Sequence, residues 1–217
     1  MAKTKYTLII AILLSLAFSI ESITINFAGG QVDNFQSGDK QNNIPFSQEK
    51  PEIDVSIDGT SSDDKIKGGE GNDDINGRLG NDMLFGGRGD DELDGDEGDD
   101  VVKGEQGNDE IEGGEGNDKL DGERGMDLIT GEEGDDRLYG GRGDDQIDGG
   151  DGNDQIDGGD GVDILIGGLG SDTFICDQFD TIFDYKSDQG DKKVGACSIL
   201  DNSPVSDSPQ ISQDLIG

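Results

Sequence analysis

One nine-residue unit fills residues 59–175 thirteen times over, with no insertion or deletion between copies. A representative copy is Gly68-Gly69-Glu70-Gly71-Asn72-Asp73-Asp74-Ile75-Asn76, and the next begins at Gly77. Position one is Gly and position six is Asp in all thirteen copies, position eight is always apolar, and position four is Gly everywhere except Ser62. Four columns held in phase over so long a stretch specify a stacked architecture, in which each unit buries its apolar face only against its neighbours.

The unit divides in two. Positions one to six are turn material, with Gly for unusual backbone angles and Asn or Asp at position five in ten copies. Positions seven to nine alternate polar, apolar, polar in most copies, the pattern of a half-buried strand. A three-residue strand and a six-residue turn, repeated, wind the chain into an all-β solenoid. The expected form is a parallel β-roll with two units per coil, odd units forming one sheet and even units the other. Six and a half coils at about 4.8 Å each predict a rod roughly 30 Å long.

Charge narrows the function classes. The 217 residues carry 51 Asp and Glu against 16 Lys and Arg, a net charge of −35, with only 29% hydrophobic residues. Such a chain repels itself, and nucleic acid and anionic membranes with it; cations are its natural partners. The sequence has no His, which removes helical zinc-protease motifs and Ser-His-Asp hydrolases. A glycosidase carboxylate pair would need a substrate cleft, and nothing in the array suggests one. The chain reads as a binding protein and not an enzyme.

The unit Gly-Gly-x-Gly-x-Asp-x-(apolar)-x resembles the nonapeptide of repeats-in-toxin (RTX) proteins, a calcium-binding repeat. Gly167-Gly168-Leu169-Gly170-Ser171-Asp172-Thr173-Phe174-Ile175 is similar to a typical last repeat of that family. Asp180-Thr181-Ile182-Phe183-Asp184-Tyr185, followed by Gly190-Asp191, is similar to its flanking segment. The resemblance implies a β-roll holding Ca²⁺ between consecutive turns on the same edge. Its ligand carboxylates would be Asp64, Asp73, Asp82, Asp91, Asp100, Asp109, Asp118, Asp127, Asp136, Asp145, Asp154, Asp163 and Asp172. Glycine-turn carbonyls would supply the remaining oxygens, matching the six to eight hard ligands that Ca²⁺ takes.

Seven odd turns leave six gaps and six even turns leave five, so up to about eleven Ca²⁺ are expected. The array has 36 Asp and Glu against 9 Lys and Arg; eleven divalent ions would lower its net charge from −27 to about −5. The chain is therefore expected to be disordered without Ca²⁺ and to fold on binding it. The array departs from the family pattern at Thr60, Arg78, Asp96, Glu105, Glu123 and Glu132 in position two, at Met126 and Val162 in position five, and at Ser62. Sites involving the first unit, Asp64 included, depart from the pattern, and Asp64 is expected to be structural; two or three of the eleven are discounted.

The flanks complete the organisation. Lys3 and Lys5 precede an apolar run over 7–20, which suits a signal peptide over 1–22 with cleavage after Ser19 or Ser22; an uncleaved anchor is the alternative. Either places the array outside the cytoplasm, secreted or at the cell surface. Residues 23–58 read as a linker and cap, with strands at Ile23-Thr24-Ile25-Asn26-Phe27 and Ile53-Asp54-Val55-Ser56-Ile57, the second pairing with the first repeat. Residues 176–200, with Phe179, Ile182, Phe183 and Tyr185, read as a C-terminal cap, and 201–217 as a disordered tail. Cys176 and Cys197 are the only cysteines. After export they are expected to form a disulfide worth roughly 3 kcal/mol; two free thiols are the alternative. Met83, Phe85, Val101 and Tyr139 share the outward odd face, either under the N-terminal segment or as a partner patch.

An EF-hand is excluded because its flanking helices cannot tolerate Gly every few residues. Outward Thr occurs only at Thr130 and Thr173, too sparsely for an ice-binding row. The expected role is a calcium-stabilised structural or adhesive extracellular module. The alternatives are an accessory fragment of a secreted enzyme or toxin system, against which stand only about 36 residues between signal and array, and an extracellular calcium buffer. No cell-surface or matrix partner and no oligomeric state can be read from the sequence.

Overall fold

The structure, a computed structural model, describes residues 53–200 and the backbone of Ser22–Asn26. The signal segment expected over 1–22, Ser22 apart, and the tail over 201–217 lie outside the described residues.

Each apolar position eight meets its own kind eighteen residues on. Ile66 pairs with Leu84 and Leu84 with Val102, while Ile75 pairs with Leu93 and Leu93 with Ile111, all in parallel register. Odd units thereby supply seven strands of an eight-stranded sheet and even units six strands of a ten-stranded one, the flanking segments supplying the others. The fold is the expected all-β parallel roll with two units per coil. A one-residue slip would turn every core side chain to solvent, so the unbroken phase of the array fixes the register.

The core is a single file from each sheet: Ile66, Leu84, Val102, Leu120, Leu138, Ile156 and Phe174 face Ile75, Leu93, Ile111, Ile129, Ile147 and Leu165, all buried. Ile57 extends the second file at its head and Ile182 at its tail. Val55 and Tyr185 pack against the two ends. The Tyr185 ring lies 6.3 Å from that of Phe174, and its hydroxyl donates to the Asp191 carbonyl at 3.0 Å.

Three expectations need correction. Most strands are longer than three residues: Lys119–Arg124 and Arg137–Arg142, for example, run six residues, from position seven to position three of the next unit. The reason lies at position two, where a left-handed φ returns position three to the ladder. Arg78, Asp96, Glu105, Glu123 and Glu132 adopt φ of 68° to 76° there. For an L-residue this costs about 1–2 kcal/mol, a cost that Gly avoids in seven of the thirteen copies. Secondly, Asp54–Asp58 pairs with Asp74–Asn76 of the second unit, not with the first repeat, because neighbours in a sheet are two units apart. Ser22–Asn26 adds antiparallel to its free edge.

Thirdly, residues 176–200 add strands to the roll itself. Thr181–Ile182 and Ser198–Ile199 join the ten-stranded sheet, and Lys192–Gly195 joins the eight-stranded one. The period here is irregular: Ile164 pairs with Thr181 and Thr173 with Lys192, offsets of seventeen and nineteen residues. Cys176 and Cys197 are joined by a disulfide that ties this last coil to the array.

Candidate metal centre

Position six closes each turn, one residue before its strand, and its side chain runs along the edge of the roll. Asp73, Asp91, Asp109, Asp127, Asp145 and Asp163 line one edge; Asp64, Asp82, Asp100, Asp118, Asp136, Asp154 and Asp172 line the other. All are buried except Asp64, which is half-buried.

The two oxygens of each carboxylate have different surroundings. Oδ1 accepts the backbone N–H of the position-six Asp one coil earlier, from Asp64 N–H to Asp82 at 2.6 Å through Asp154 N–H to Asp172 at 3.0 Å. Oδ2 of Asp73, Asp82, Asp91, Asp100, Asp109, Asp118, Asp127, Asp136, Asp145, Asp154 and Asp163 is buried with no hydrogen-bond partner. A buried, unsatisfied charged oxygen is among the costlier features a fold can hold, and here it recurs every nine residues.

The glycine columns exist to make room for these oxygens. A methyl group on Gly122 would collide with Oδ2 of Asp127 and lie 2.8 Å from the carbonyl oxygen of Gly140, one coil on. Carboxylate and carbonyl oxygens therefore converge over position one. Position four is equally constrained: Gly107 has φ 146°, and a methyl group there would collide with the Gly89 carbonyl. Position-four carbonyls such as Gly89 O take no part in the hydrogen bonds between successive turns, so their lone pairs are available.

Burial raises the carboxyl pKa values. Asp91, Asp118, Asp127 and Asp154 are pushed up to about 7, mainly by desolvation, with neighbouring carboxylates adding to it and the backbone hydrogen bond opposing it. Asp73, Asp100 and Asp109 rise to about 6 for the same leading reason. A row of oxygens that is dry, mutually repelling and unpaired suits a hard cation. Among the described residues no three acidic, Cys or His side chains converge on one point, so a cation held here would need main-chain carbonyls as further ligands.

The repeat profile described as the RTX calcium-binding nonapeptide repeat (4 copies) matches residues 56–84, 79–111, 94–127, 112–147, 121–156 and 139–174, which together cover more than half of the chain. The chain belongs to the RTX calcium-binding nonapeptide repeat family. A comparison with curated proteins found no match. The RTX repeats here are calcium-binding units, and the orphaned Oδ2 row and the position-one cradles fit Ca²⁺ on the chemistry of their oxygens alone.

Asp64 differs from the other twelve. Its Oδ2 is taken by the N–H and hydroxyl of Thr60 at 2.7 and 2.8 Å, and the second of these bonds is one that Gly at position two could not make. Two residues outside the predicted set behave like position six instead. Asp180 and Asp191 are buried, and their Oδ1 atoms accept the N–H groups of Asp163 and Asp172 at 3.3 and 3.1 Å. Each stands two residues before a position-eight equivalent, as Asp180-Thr181-Ile182 shows, but the irregular offsets hide them from a strict nine-residue count.

A second ladder runs along position five. The N–H of Asp90 donates to Oδ1 of Asn72, that of Asn108 to Asp90, and that of Met126 to Asn108, each at 2.8–3.0 Å. Here the acceptor is one coil earlier, whereas at position six it is one coil later, so each turn is tied in both directions. Met126 has no side-chain oxygen, and the ladder is interrupted at Asp144.

Proposed function

We propose that this chain is an exported RTX roll that binds Ca²⁺ along both edges, folds as it does so, and serves as a structural or adhesive module outside the cell. The observation that carries this reading is the row of buried Oδ2 atoms without partners. Each unit buries one apolar side chain, worth about 1.5–3 kcal/mol, and one carboxylate, whose uncompensated charge costs several kcal/mol. Matched one for one, the carboxylate decides, and the roll needs a counter-charge at neutral pH. Asp73 through Asp172 are assigned as ligands, with turn carbonyls beside them, and Asp64 as a turn-stabilising residue.

Eleven position-six residues carry an orphaned Oδ2, six on the even edge and five on the odd. We assign about eleven Ca²⁺ on this basis, the gap between Asp163 and Asp180 replacing the one next to Asp64. Export is supported by the charged and apolar N-terminal sequence and by a disulfide, which persists in oxidising compartments. No reaction is assigned. Equilibrium dialysis against Ca²⁺ tests the assignment: close to eleven ions per chain are expected, and two or three would contradict it.

A further inference from the structure

The two faces of the roll carry opposite charge. The strands of the eight-stranded sheet hold ten Lys and Arg against six Asp and Glu. The strands of the ten-stranded sheet hold eleven Asp and Glu and no Lys or Arg. In a chain of net charge −35 this is segregation by unit parity: successive units land on opposite faces. Cations at the edges would leave it intact, because none of these residues is a position-six Asp.

Like charges are stacked in register at several places on each face, beside the opposite-charge pairs Glu70–Arg88, Lys103–Asp121 and Arg142–Asp160 of the eight-stranded sheet. On the eight-stranded sheet Lys119 pairs with Arg137 and Arg124 with Arg142. On the other sheet Glu92 pairs with Glu110, Asp94 with Glu112, and Glu115 with Glu133. Such neighbours repel within one molecule. Among the described residues Lys119, Arg124 and Arg137 form no ion pair, and Arg142 reaches only the exposed Asp160 at 3.9 Å. The Lys119 ammonium lies over the Tyr139 ring, 5.6 Å from its centroid, and that of Lys65 over Phe85 at 5.0 Å. The basic face thus also carries aromatic surface suited to an interface.

We propose that the basic face of the eight-stranded sheet docks on the acidic face of the ten-stranded sheet of a second copy. Both faces advance by one strand per coil, so the Arg124–Arg142 and Glu115–Glu133 stacks share one axial spacing of about 4.8 Å. A generic polyanion would not carry that match. Eight strands of about six residues present roughly 34 Å by 20 Å, about 700 Å² per partner, which lies in the range of specific interfaces. Because the contact joins unlike faces, each copy keeps one face free, and the assembly is an open lateral stack and not a closed dimer. Opposed charge ladders supply register and orientation.

Sedimentation velocity of the full chain in millimolar Ca²⁺ tests this, with circular dichroism confirming that each sample is folded. The wild type should gain mass with concentration at about 20 mM NaCl and associate at least about tenfold more weakly at about 500 mM. The double variants Arg124→Glu/Arg142→Glu and Glu115→Lys/Glu133→Lys should each stay monomeric alone and should associate when mixed, since reversed faces then complement each other. A wild type that stays monomeric at every concentration and salt level overturns the proposal. So does association that survives reversal of either face.

Discussion

The backbone N–H of Asp100 donates to Oδ1 of Asp118 at 2.7 Å, eighteen residues ahead, while Oδ2 of the same carboxylate is buried and unpaired. One oxygen joins two coils, and the other is the one the proposed function assigns to a cation. The two roles can be separated by mutation. Asp118→Asn keeps the amide oxygen that Asp100 needs and removes the charge, so it should raise the Ca²⁺ midpoint of folding and lower the stoichiometry by one or two ions. Asp118→Ala also strands the Asp100 N–H, adding about 1–3 kcal/mol of destabilisation. Calcium titrations of both variants check this; identical behaviour would mean that Oδ1 does not hold the coils together.

The metal-free and calcium-loaded chains should respond to acid in opposite ways. Asp91, Asp118, Asp127 and Asp154 have folded pKa values of about 7 against an ordinary 3.8. Between those values the folded state binds more protons than the unfolded one, so the stability of the metal-free roll falls as pH rises through that window and is greatest below it. In chelator, β structure should grow as pH is lowered from about 7.5 to about 4.5. With Ca²⁺ present, protons compete for the same oxygens, and the ion concentration needed for half-folding should rise over that range. Loss of β structure on acidifying the metal-free chain would contradict the burial argument.

Met126→Asn should repair the position-five ladder. Met126 is 60% exposed, so no core packing is lost, and an Asn oxygen would accept the Asp144 N–H as Asn108 accepts that of Met126. A gain of about 0.5–1.5 kcal/mol is expected in thermal melts of the calcium-loaded chain. An unchanged melting temperature would show that this ladder is incidental.

Gly122→Ala should do the reverse. Its methyl group would occupy the space shared by Oδ2 of Asp127 and the carbonyl of Gly140. The Ca²⁺ midpoint should rise at least about tenfold, a cost of about 1.4 kcal/mol or more, with at least one ion lost from the stoichiometry. A variant that binds and folds like the wild type would show that position one is not part of the cradle.

The features legible in the sequence were those that repeat without error. The apolar eighth column gave the two-sheet roll and its core, and the Asp column gave the two edges, because nothing but stacking explains an invariant phase. What escaped is what the phase does not carry. Asp180 and Asp191 were hidden by offsets of seventeen and nineteen residues, although their turns do the same work. Asn72 and Asp90 looked like turn formers; their part in a ladder depends on which turn lies above, known only once two units make a coil. Ile57 sits eighteen residues before Ile75 and belongs to the core, but without Gly in its turn it did not register as a repeat. The charge of the two faces was present in the parity of the units, yet average composition concealed it under the net acidity.

The most direct test of the central claim is far-ultraviolet circular dichroism of the chain at neutral pH, in chelator and then through a Ca²⁺ titration. The charge of the buried carboxylates predicts an unordered spectrum in chelator and a steep, cooperative rise of β signal as the ion is added. The same β content in chelator as in millimolar Ca²⁺ would contradict it.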